Sequence, residues 1–272
     1  MCYTKRDIYS TGTRMKKKTK DFFEKVLLEI FVDKYNCIIC DKELRDKSRY
    51  GLCPECLKEM TFVKDRMCKK CGRLQLNEAD YCLTCQNHLR YFDFARSCVV
   101  YDDKAKEIAR GLKFGHRKYF AKYVSNFLID RYEECFKDVN ADFIIPVPLM
   151  KKRQEERGYN QAEAISKKLA EHYDLEIRTD IIAKIKQNSE QAKLSGKERE
   201  ENVQGVYQVT KPQDVVDKRI LIVDDVMTTG STLSELAKIL IKAKAKNVYA
   251  LTFASTRYKI TGESLEDDKV EL

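Results

Sequence analysis

The spacing of hydrophobic and polar positions changes twice along the 272-residue chain. Between residues 21 and 31, apolar side chains recur at the three- and four-residue intervals of an amphipathic helix. Residues 36–90 show no regular apolar pattern, whereas from residue 91 onward short apolar runs alternate with helical patterns. Strands that alternate with helices predict a parallel α/β sheet.

The second half of the chain contains the elements of this predicted sheet. The predicted strands are 95–101, 142–146, 181–185, 219–223 and 248–254, and the predicted helices are 104–114, 119–136, 160–172 and 231–243. Residues 186–204 are polar and charged and lack a core pattern, so we expect them to form a loop.

These patterns divide the chain into four expected segments. They are a basic tail with an amphipathic helix (1–35), a cysteine-rich module (36–90), an α/β domain (91–258) and an acidic tail (259–272). We expect the first helix to dock on the rest of the protein, and attachment to a membrane surface is the alternative. Both Met1 and Met15 remain open as the start of translation.

Charge and hydropathy narrow the class of protein. No apolar run approaches the roughly 18 residues of a membrane span, and the N-terminal residues lack a secretory signal pattern. We therefore expect a cytoplasmic protein that is not integral to a membrane. The formal charge is +9, of which residues 1–92 carry +7, so a polyanionic partner would be attracted to the first third. A merely soluble lysine-rich surface explains the same charge.

Eight of the eleven cysteines form four Cys-x-x-Cys pairs within 49 consecutive residues. The pairs are Cys37/Cys40, Cys53/Cys56, Cys68/Cys71 and Cys82/Cys85. Each pair supplies two thiolates from one tight turn, and a structural zinc ion takes four in a tetrahedron. We predict two four-cysteine Zn²⁺ sites with the pairs combined in sequence order. Interleaved pairing and an iron–sulfur cluster are the alternatives.

Residues 220–233 combine an apolar strand, two carboxylates and a hydroxyl-rich helix start. The carboxylates, Asp224 and Asp225, are expected at the strand end, facing solvent, where they suit ribose hydroxyls or Mg²⁺. A helix N-terminus at the carboxyl end of a parallel strand offers N–H groups to a phosphate. The expected phosphate-binding residues are Thr228, Thr229, Gly230, Ser231 and Thr232.

This stretch resembles the phosphoribosyl pyrophosphate (PRPP) binding motif of type I phosphoribosyltransferases. The run Pro146-Val147-Pro148-Leu149, followed by Arg153 and by residues 157–163, resembles the signature of the ComF family. These are amidophosphoribosyltransferase-like proteins linked to competence. The four cysteine pairs match the N-terminal zinc-finger region of that family. Further family positions are matched by Leu112, Lys113, Phe114, Gln191, Leu194, Arg199 and Asn202.

The resemblance implies a parallel-sheet type I phosphoribosyltransferase fold that binds PRPP with Mg²⁺. Asp224 and Asp225 would bind the ribose hydroxyls, and residues 228–232 would bind the 5′-phosphate. The turn 146–151 would bind pyrophosphate, with Arg153 or Arg157 nearby, and residues 186–204 would close over the site.

The chain departs from the family at three positions in or directly before this closing segment. Lys184, Lys186 and Asn188 stand where family members commonly have Arg, Arg and Thr. Lysine does not replace the two-pronged phosphate contact of arginine, so a weaker hold on pyrophosphate is expected.

We therefore expect a phosphoribosyltransferase, a glycosyltransferase-class enzyme, whose acceptor the sequence does not identify. The alternative is a weakly catalytic or non-catalytic protein that handles single-stranded DNA during DNA uptake, together with a helicase-like competence partner. A structural docking protein is a third possibility. Few aromatic residues of the cysteine-rich segment are available for base stacking, namely Tyr50, Phe62 and Tyr81.

Overall fold

A computed structural model describes residues 35–75, 77–114, 117–186 and 205–257. The helix predicted at 21–31, most of the polar segment 186–204 and the acidic tail lie outside these ranges.

The described residues contain nine strands and seven α-helices, numbered in chain order. The strands are β1 (Tyr35–Asn36), β2 (Glu43–Leu44), β3 (Ala95–Val100), β4 (Phe143–Pro146), β5 (Glu176–Ile177), β6 (Ile182–Lys184), β7 (Tyr207–Val209), β8 (Arg219–Met227) and β9 (Asn247–Ser255). The helices are α1 (Pro54–Lys58), α2 (Leu83–Asn87), α3 (Asp103–Lys113), α4 (Ala121–Cys135), α5 (Lys151–Arg157), α6 (Gln161–Tyr173) and α7 (Ser231–Lys242).

Five strands form one parallel sheet in the order β3-β9-β8-β4-β5, which confirms the predicted α/β class. Two details differ from the prediction. The strand predicted at 181–185 is β6, which pairs antiparallel with β7 outside the main sheet. The fifth strand of the sheet is instead β5, whose two residues are too few to show an alternating pattern.

The order in which successive strands are added to this sheet reverses between β4 and β8. From β4 the chain passes through α5 and α6 to β5 on one side, and from β8 it passes through α7 to β9 on the other. In open α/β sheets, ligands bind beyond the carboxyl ends of the strands at such a reversal. The crevice between the ends of β4 and β8 is therefore the expected ligand site.

The cysteine-rich segment shares its apolar cores with the α/β sheet. Ile38 and Leu52 pack in one core with Phe127 of α4. Cys68 and Met227 belong to a second core, which also contains residues of α7. Among the described residues, no helix has the length and apolar character needed to cross a bilayer.

Candidate functional site

The eight paired cysteines form two compact groups of four. The sulfur atoms of each group lie within 4.8 Å of one another, which suits four ligands around one zinc ion. One group is Cys37, Cys40, Cys53 and Cys56, and the other is Cys68, Cys71, Cys82 and Cys85. The pairs thus combine in sequence order, as predicted, and the interleaved alternative is wrong.

Backbone N–H groups point at the sulfur atoms of both groups. The N–H of Cys56 donates to Cys53 Sγ at 3.4 Å, and the N–H of Cys82 donates to Cys68 Sγ at 3.3 Å. Such donors stabilise thiolates, the form that binds zinc. A tetrahedral shell of four thiolates leaves no position for a reacting water, so these centres are structural.

The predicted phosphate loop, residues 228–232, follows the end of β8 at Met227 and runs into the first turn of α7, where the sequence places it. Gly230 has φ +79°, a left-handed conformation that side chains other than glycine rarely adopt. The Ser231 N–H donates to Thr229 Oγ1 at 3.3 Å, and the two hydroxyls lie 2.8 Å apart. The first turn of α7 thus presents N–H groups and hydroxyls at the carboxyl end of β8, with the positive end of the helix dipole.

The two carboxylates lie within β8 rather than beyond its end. Asp225 is only 3 % exposed, so the expectation that both face solvent is wrong. The reason is that β8 continues to Met227, and successive side chains of a strand face opposite sides. Lys113 Nζ lies 3.0 Å from Asp225 Oδ2, and Gln161 Nε2 donates to Oδ1 at 3.5 Å.

The surroundings separate the acidities of the two carboxylates. Burial and the negative charge of Asp225 raise the pKa of Asp224 well above its ordinary value. Burial also acts to raise the pKa of Asp225, but the Lys113 ammonium and the hydrogen bonds from Asp224, Lys113 and Gln161 together hold that pKa below its ordinary value. Burial acts to lower the pKa of Lys113, but the negative charge of Asp225 and its hydrogen bond with the ammonium raise that pKa above its ordinary value. Asp225 is therefore the more acidic member of the pair, and Asp224 is the less acidic one.

The predicted pyrophosphate turn lies at the end of β4, next to the carboxylates. Pro146 pairs with Val223, one residue before Asp224. The turn is anchored to α6, because Asn160 Nδ2 donates to the Val147 carbonyl at 3.0 Å. Pro148 follows within the turn, before α5 begins at Lys151.

The two arginines of this region lie on α5, a helix that the sequence pattern did not predict. The Arg157 guanidinium donates to Gln161 Oε1, which joins it to Asp225 through one amide. Arg153 is half-buried and lies close enough to Lys184 for its positive charge, after burial, to lower the pKa of that lysine.

Comparisons with known proteins agree with this architecture. The profile of the phosphoribosyl transferase domain matches residues 132–270, half of the chain, and that of the double zinc ribbon domain matches residues 29–86. The chain is a member of the ComF family of phosphoribosyl transferase domain proteins.

This chain matches three relatives over nearly their whole length. Competence protein F of Haemophilus influenzae is 28 % identical over 79 % of this chain and 94 % of its own. Competence protein ComFC of Bacillus subtilis is 29 % identical over 81 % and 95 %, and DNA utilization protein YhgH of Escherichia coli is 25 % identical over 79 % and 95 %.

The solved structures that this ComF family protein resembles are more distant. An allosteric regulatory enzyme of purine biosynthesis is 21 % identical, with a TM-score of 0.34 over 49 % of this chain and 26 % of its own. A hypoxanthine phosphoribosyl transferase of Trypanosoma cruzi is 16 % identical, with a TM-score of 0.30 over 58 % and 72 %. Similarities this low carry no argument about the site.

This ComF family protein also has a basic cleft, lined by residues other than those of the sheet crevice. The cleft has a volume of about 670 Å³ and lies between the first cysteine group and the start of α4. Its lining includes three exposed cations, one exposed carboxylate and three tyrosine rings, namely Lys47, Arg117, Lys122, Asp41, Tyr35, Tyr119 and Tyr123. Lys122 Nζ lies 4.7 Å from the centre of the Tyr123 ring, and Tyr119 is 55 % exposed.

Two residues near the phosphate loop carried no recognisable signal in the sequence. Arg73 of the second cysteine group donates to the Thr228 carbonyl, across 155 positions of sequence. Tyr207 of β7 supports Lys184, whose Nζ lies 5.5 Å from the centre of its ring. Each lies outside the local motifs, so only the folded chain brings it to the site.

Proposed function

We propose that this protein binds PRPP with Mg²⁺ in the crevice between β4 and β8 and transfers its phosphoribosyl group to an acceptor. One observation carries the proposal: β8 places a carboxylate pair, Asp224 and Asp225, seven and six residues before the start of α7 at Ser231, beside the turn that follows β4. This combination suits a ligand with a diol between two phosphate groups.

The phosphate loop fits the 5′-phosphate end of such a ligand. The hydroxyls of Thr229 and Ser231 and the N–H groups of the first turn of α7 are donors, and a phosphate accepts from both. Glycine is needed at position 230 for its positive φ and not for lack of space. A Cβ there would meet its nearest atom, Met227 Sδ, at 3.5 Å, an ordinary contact distance.

The two carboxylates fit different parts of the ribose region. Asp225 carries a negative charge that Lys113 balances, so it can accept hydrogen bonds from ribose hydroxyls without a metal ion. Asp224 is half-buried, and its proton is displaced when a cation or a ligand favours the charged form. Carboxylate oxygens are ligands that Mg²⁺ prefers, and bound Mg²⁺ would bear part of the leaving pyrophosphate charge.

In the transfer, the bond between ribose C1 and the pyrophosphate oxygen breaks, and a bond between C1 and the acceptor forms. The pyrophosphate leaves with the electron pair of the broken bond. Cationic side chains near the turn, Arg153, Arg157 and Lys184, are placed to stabilise that developing charge. Positioning of the reactants supplies the rest of the rate, since no covalent bond to the protein is required.

Calorimetric titration with PRPP, with and without Mg²⁺, tests the proposal. We expect Asp224→Asn to weaken Mg²⁺-dependent binding at least about tenfold, the value of one charge-assisted contact. Asp142→Asn is the matched control, because Asp142 accepts from the Arg219 N–H at the opposite end of the same strands. Failure of the unmodified protein to bind PRPP, or equal affinity in both variants, would refute the site. Pyrophosphate release with a panel of amines and bases then tests for turnover.

The basic cleft favours a second function, the binding of single-stranded DNA. The exposed ring of Tyr119 near the cations Arg117 and Lys122 suits a strand whose bases stack and whose phosphates are neutralised. The relatives named for competence and DNA utilization support this role, with or without a helicase-like partner. The two functions are compatible, because the cleft and the crevice are lined by different residues. Labelled oligonucleotide binding that saturating PRPP does not displace is the expected result. Displacement by PRPP would place the DNA in the crevice instead.

A further inference from the structure

Arg73 connects the second cysteine group to the phosphate loop. It follows Cys71 and Gly72, and its side chain is buried, with the whole residue 5 % exposed. One guanidinium nitrogen, Nη2, donates to the carbonyl of Thr228, the first residue of the loop. The Nε of Arg73 is also buried and has no hydrogen-bond partner among the described residues.

The metal-binding turn sets the position of Arg73. The Cys68 N–H donates to the Arg73 carbonyl at 2.9 Å, which closes the turn around the thiolates. Gly72 lies against β3 so tightly that a Cβ would sit 2.4 Å from the Ala95 carbonyl oxygen. The Ala95 N–H in turn donates to the Lys70 carbonyl at 2.8 Å. Arg73 is therefore held between a metal centre and a strand.

The contact with Thr228 orients the loop. Thr228 O accepts from Arg73 and also from Thr256 Oγ1 at 3.1 Å. In a planar trans peptide the C=O and the following N–H point in opposite directions. Fixing the Thr228 carbonyl toward Arg73 therefore turns the Thr229 N–H to the opposite side of the loop, where it can donate to an anion. The carbonyl itself is kept away from that anion.

Among the described residues, no side chain of the first cysteine group's segment makes a hydrogen bond to residues 228–232. That segment is tied to α4 instead, through an ion pair of Arg49 with Asp130 and a hydrogen bond from Asn126 to the Arg49 carbonyl. The two groups therefore support different parts of the fold, and each supplies a control for the other.

We propose that the second cysteine group, acting through Arg73, holds the phosphate loop in its anion-binding conformation. Arg73 is then a positioning residue for the 5′-phosphate, and metal bound at Cys68, Cys71, Cys82 and Cys85 supports phosphate affinity. Metal at the first group does not. The ligand part of this inference rests on the proposed function, whereas the link between Arg73 and the loop does not.

Substitution of Arg73 tests the link with a ligand. The probe is ribose 5-phosphate, which carries the 5′-phosphate but no pyrophosphate. We expect Arg73→Gln to weaken its binding about tenfold or more, the value of a charged hydrogen bond. Arg73→Lys, which keeps a cationic donor, is expected to stay within about threefold, and Arg49→Gln is expected to change nothing. Binding to Arg73→Gln as tight as to the unmodified protein would overturn the inference.

Hydrogen–deuterium exchange tests the link without any ligand. We expect amides of residues 228–232 to exchange at least about tenfold faster in Arg73→Gln but not in Arg49→Gln. The reason is that the hydrogen bond from Arg73 to the Thr228 carbonyl, which must break when the loop opens, is lost in Arg73→Gln. Unchanged exchange would overturn the inference. If the unmodified protein binds neither PRPP nor ribose 5-phosphate, the proposed function fails, and this measurement still decides the link.

A matched pair of cysteine variants tests the metal. Cys85→Ser removes one ligand of the second group and Cys40→Ser removes one ligand of the first. We expect each to lower the zinc content to about one ion per chain. Only Cys85→Ser should speed exchange in residues 228–232 and weaken ribose 5-phosphate binding. Equal effects of the two variants, or none from Cys85→Ser, would overturn the inference.

Discussion

Lys113 Nζ lies 3.0 Å from Asp225 Oδ2, in an ion pair whose side chains are only 7 % and 5 % exposed. The pair joins the last residue of α3 to the centre of the sheet, directly before the phosphate loop. A buried ion pair adds little to the free energy of unfolding when both partners are present, but removal of one partner leaves the other charge buried and unpaired. The pair therefore makes the geometry of Asp225 dependent on α3.

We predict that Lys113→Met destabilises the protein by about 3–5 kcal/mol, because Asp225 keeps a buried negative charge without its cation. Asp225→Asn should have a comparable cost, and the double variant should cost clearly less than the two single costs together. Chemical denaturation of the zinc-loaded protein measures all three. Lys167→Met is the control, since its pair with Glu163 on α6 lies at the surface, with side chains 55 % and 30 % exposed, and such pairs contribute about 0.5 kcal/mol or less. Additive costs would show that the two charges do not depend on each other.

The second prediction concerns the raised pKa of Asp224. In the free protein this carboxyl keeps its proton at pH values where an ordinary aspartic acid has lost it, and a metal ligand must be ionised. Mg²⁺-dependent PRPP binding should therefore release a proton and strengthen as the pH rises toward the raised pKa. Calorimetry in buffers of different ionisation enthalpy measures the release, which Asp224→Asn should remove and Asp142→Asn should keep.

The same shift has a consequence for stability. Because the folded protein binds this proton more tightly than the unfolded chain, the free energy of unfolding falls as pH rises through the raised pKa. Asp224→Asn should lessen that fall. Asp225 has the opposite sign: its lowered pKa stabilises the fold above the ordinary range for aspartic acid, and acidification removes that contribution.

The sequence was sufficient for the sheet and for the local motifs of the site. Apolar strands such as β4 and β8 alternate with amphipathic helices, and that pattern alone indicates a parallel sheet. The position of residues 228–232 at the junction of β8 and α7 could be predicted because these residues are consecutive. The burial of Asp225 could not be predicted, because the apolar pattern of the strand ends at Val223, whereas β8 itself continues to Met227. Lys113 reaches Asp225 through tertiary packing, which periodicity does not report.

The coupling of the zinc centres to the sheet could not be predicted. The cysteine spacing predicts the two metal groups but not what they pack against. Arg73 and Thr228 are 155 positions apart, and no single sequence motif contains both of them. The cores that join Cys68 to Met227, and Ile38 to Phe127, depend in the same way on tertiary contacts.

The third prediction follows from these shared cores. The protein should carry about two zinc ions per chain by elemental analysis, and their removal by a chelator under reducing conditions should lower the stability of the whole fold. We expect one cooperative transition with Tm lowered by at least about 10 °C, since each kcal/mol shifts Tm by roughly 2–4 °C in a protein of this size. A separate transition at an unchanged temperature would show that the sheet is stable without the zinc groups.

The fourth prediction concerns Lys184, which is half-buried beside Tyr207 and close to Arg153. If it stabilises the pyrophosphate end of PRPP, Lys184→Gln should weaken PRPP binding about tenfold and leave ribose 5-phosphate binding within about twofold. Lys184→Arg should bind PRPP at least as tightly as the unmodified protein, because a guanidinium contacts phosphate with two donors. An equal loss for both ligands would place the lysine elsewhere in the site.

The last prediction concerns the basic cleft. Each phosphate of single-stranded DNA that a cation neutralises releases counterions and adds about −0.7 to the slope of log K against log salt. Arg117→Gln with Lys122→Gln should therefore make the slope shallower by about 1.4. Lys242→Gln with Lys246→Gln removes the same charge from exposed positions around the end of α7, outside the cleft, and should leave the slope unchanged.

Tyr119→Ala separates stacking from charge at the same cleft. Loss of one stacked base costs about 1–3 kcal/mol of affinity, whereas the number of phosphate contacts, and hence the salt slope, stays the same. Fluorescence anisotropy with a labelled oligonucleotide measures both quantities in one salt series. If the cleft pair and the α7 pair reduce the slope equally, the attraction comes from the overall charge of the protein, and the cleft is not the binding site.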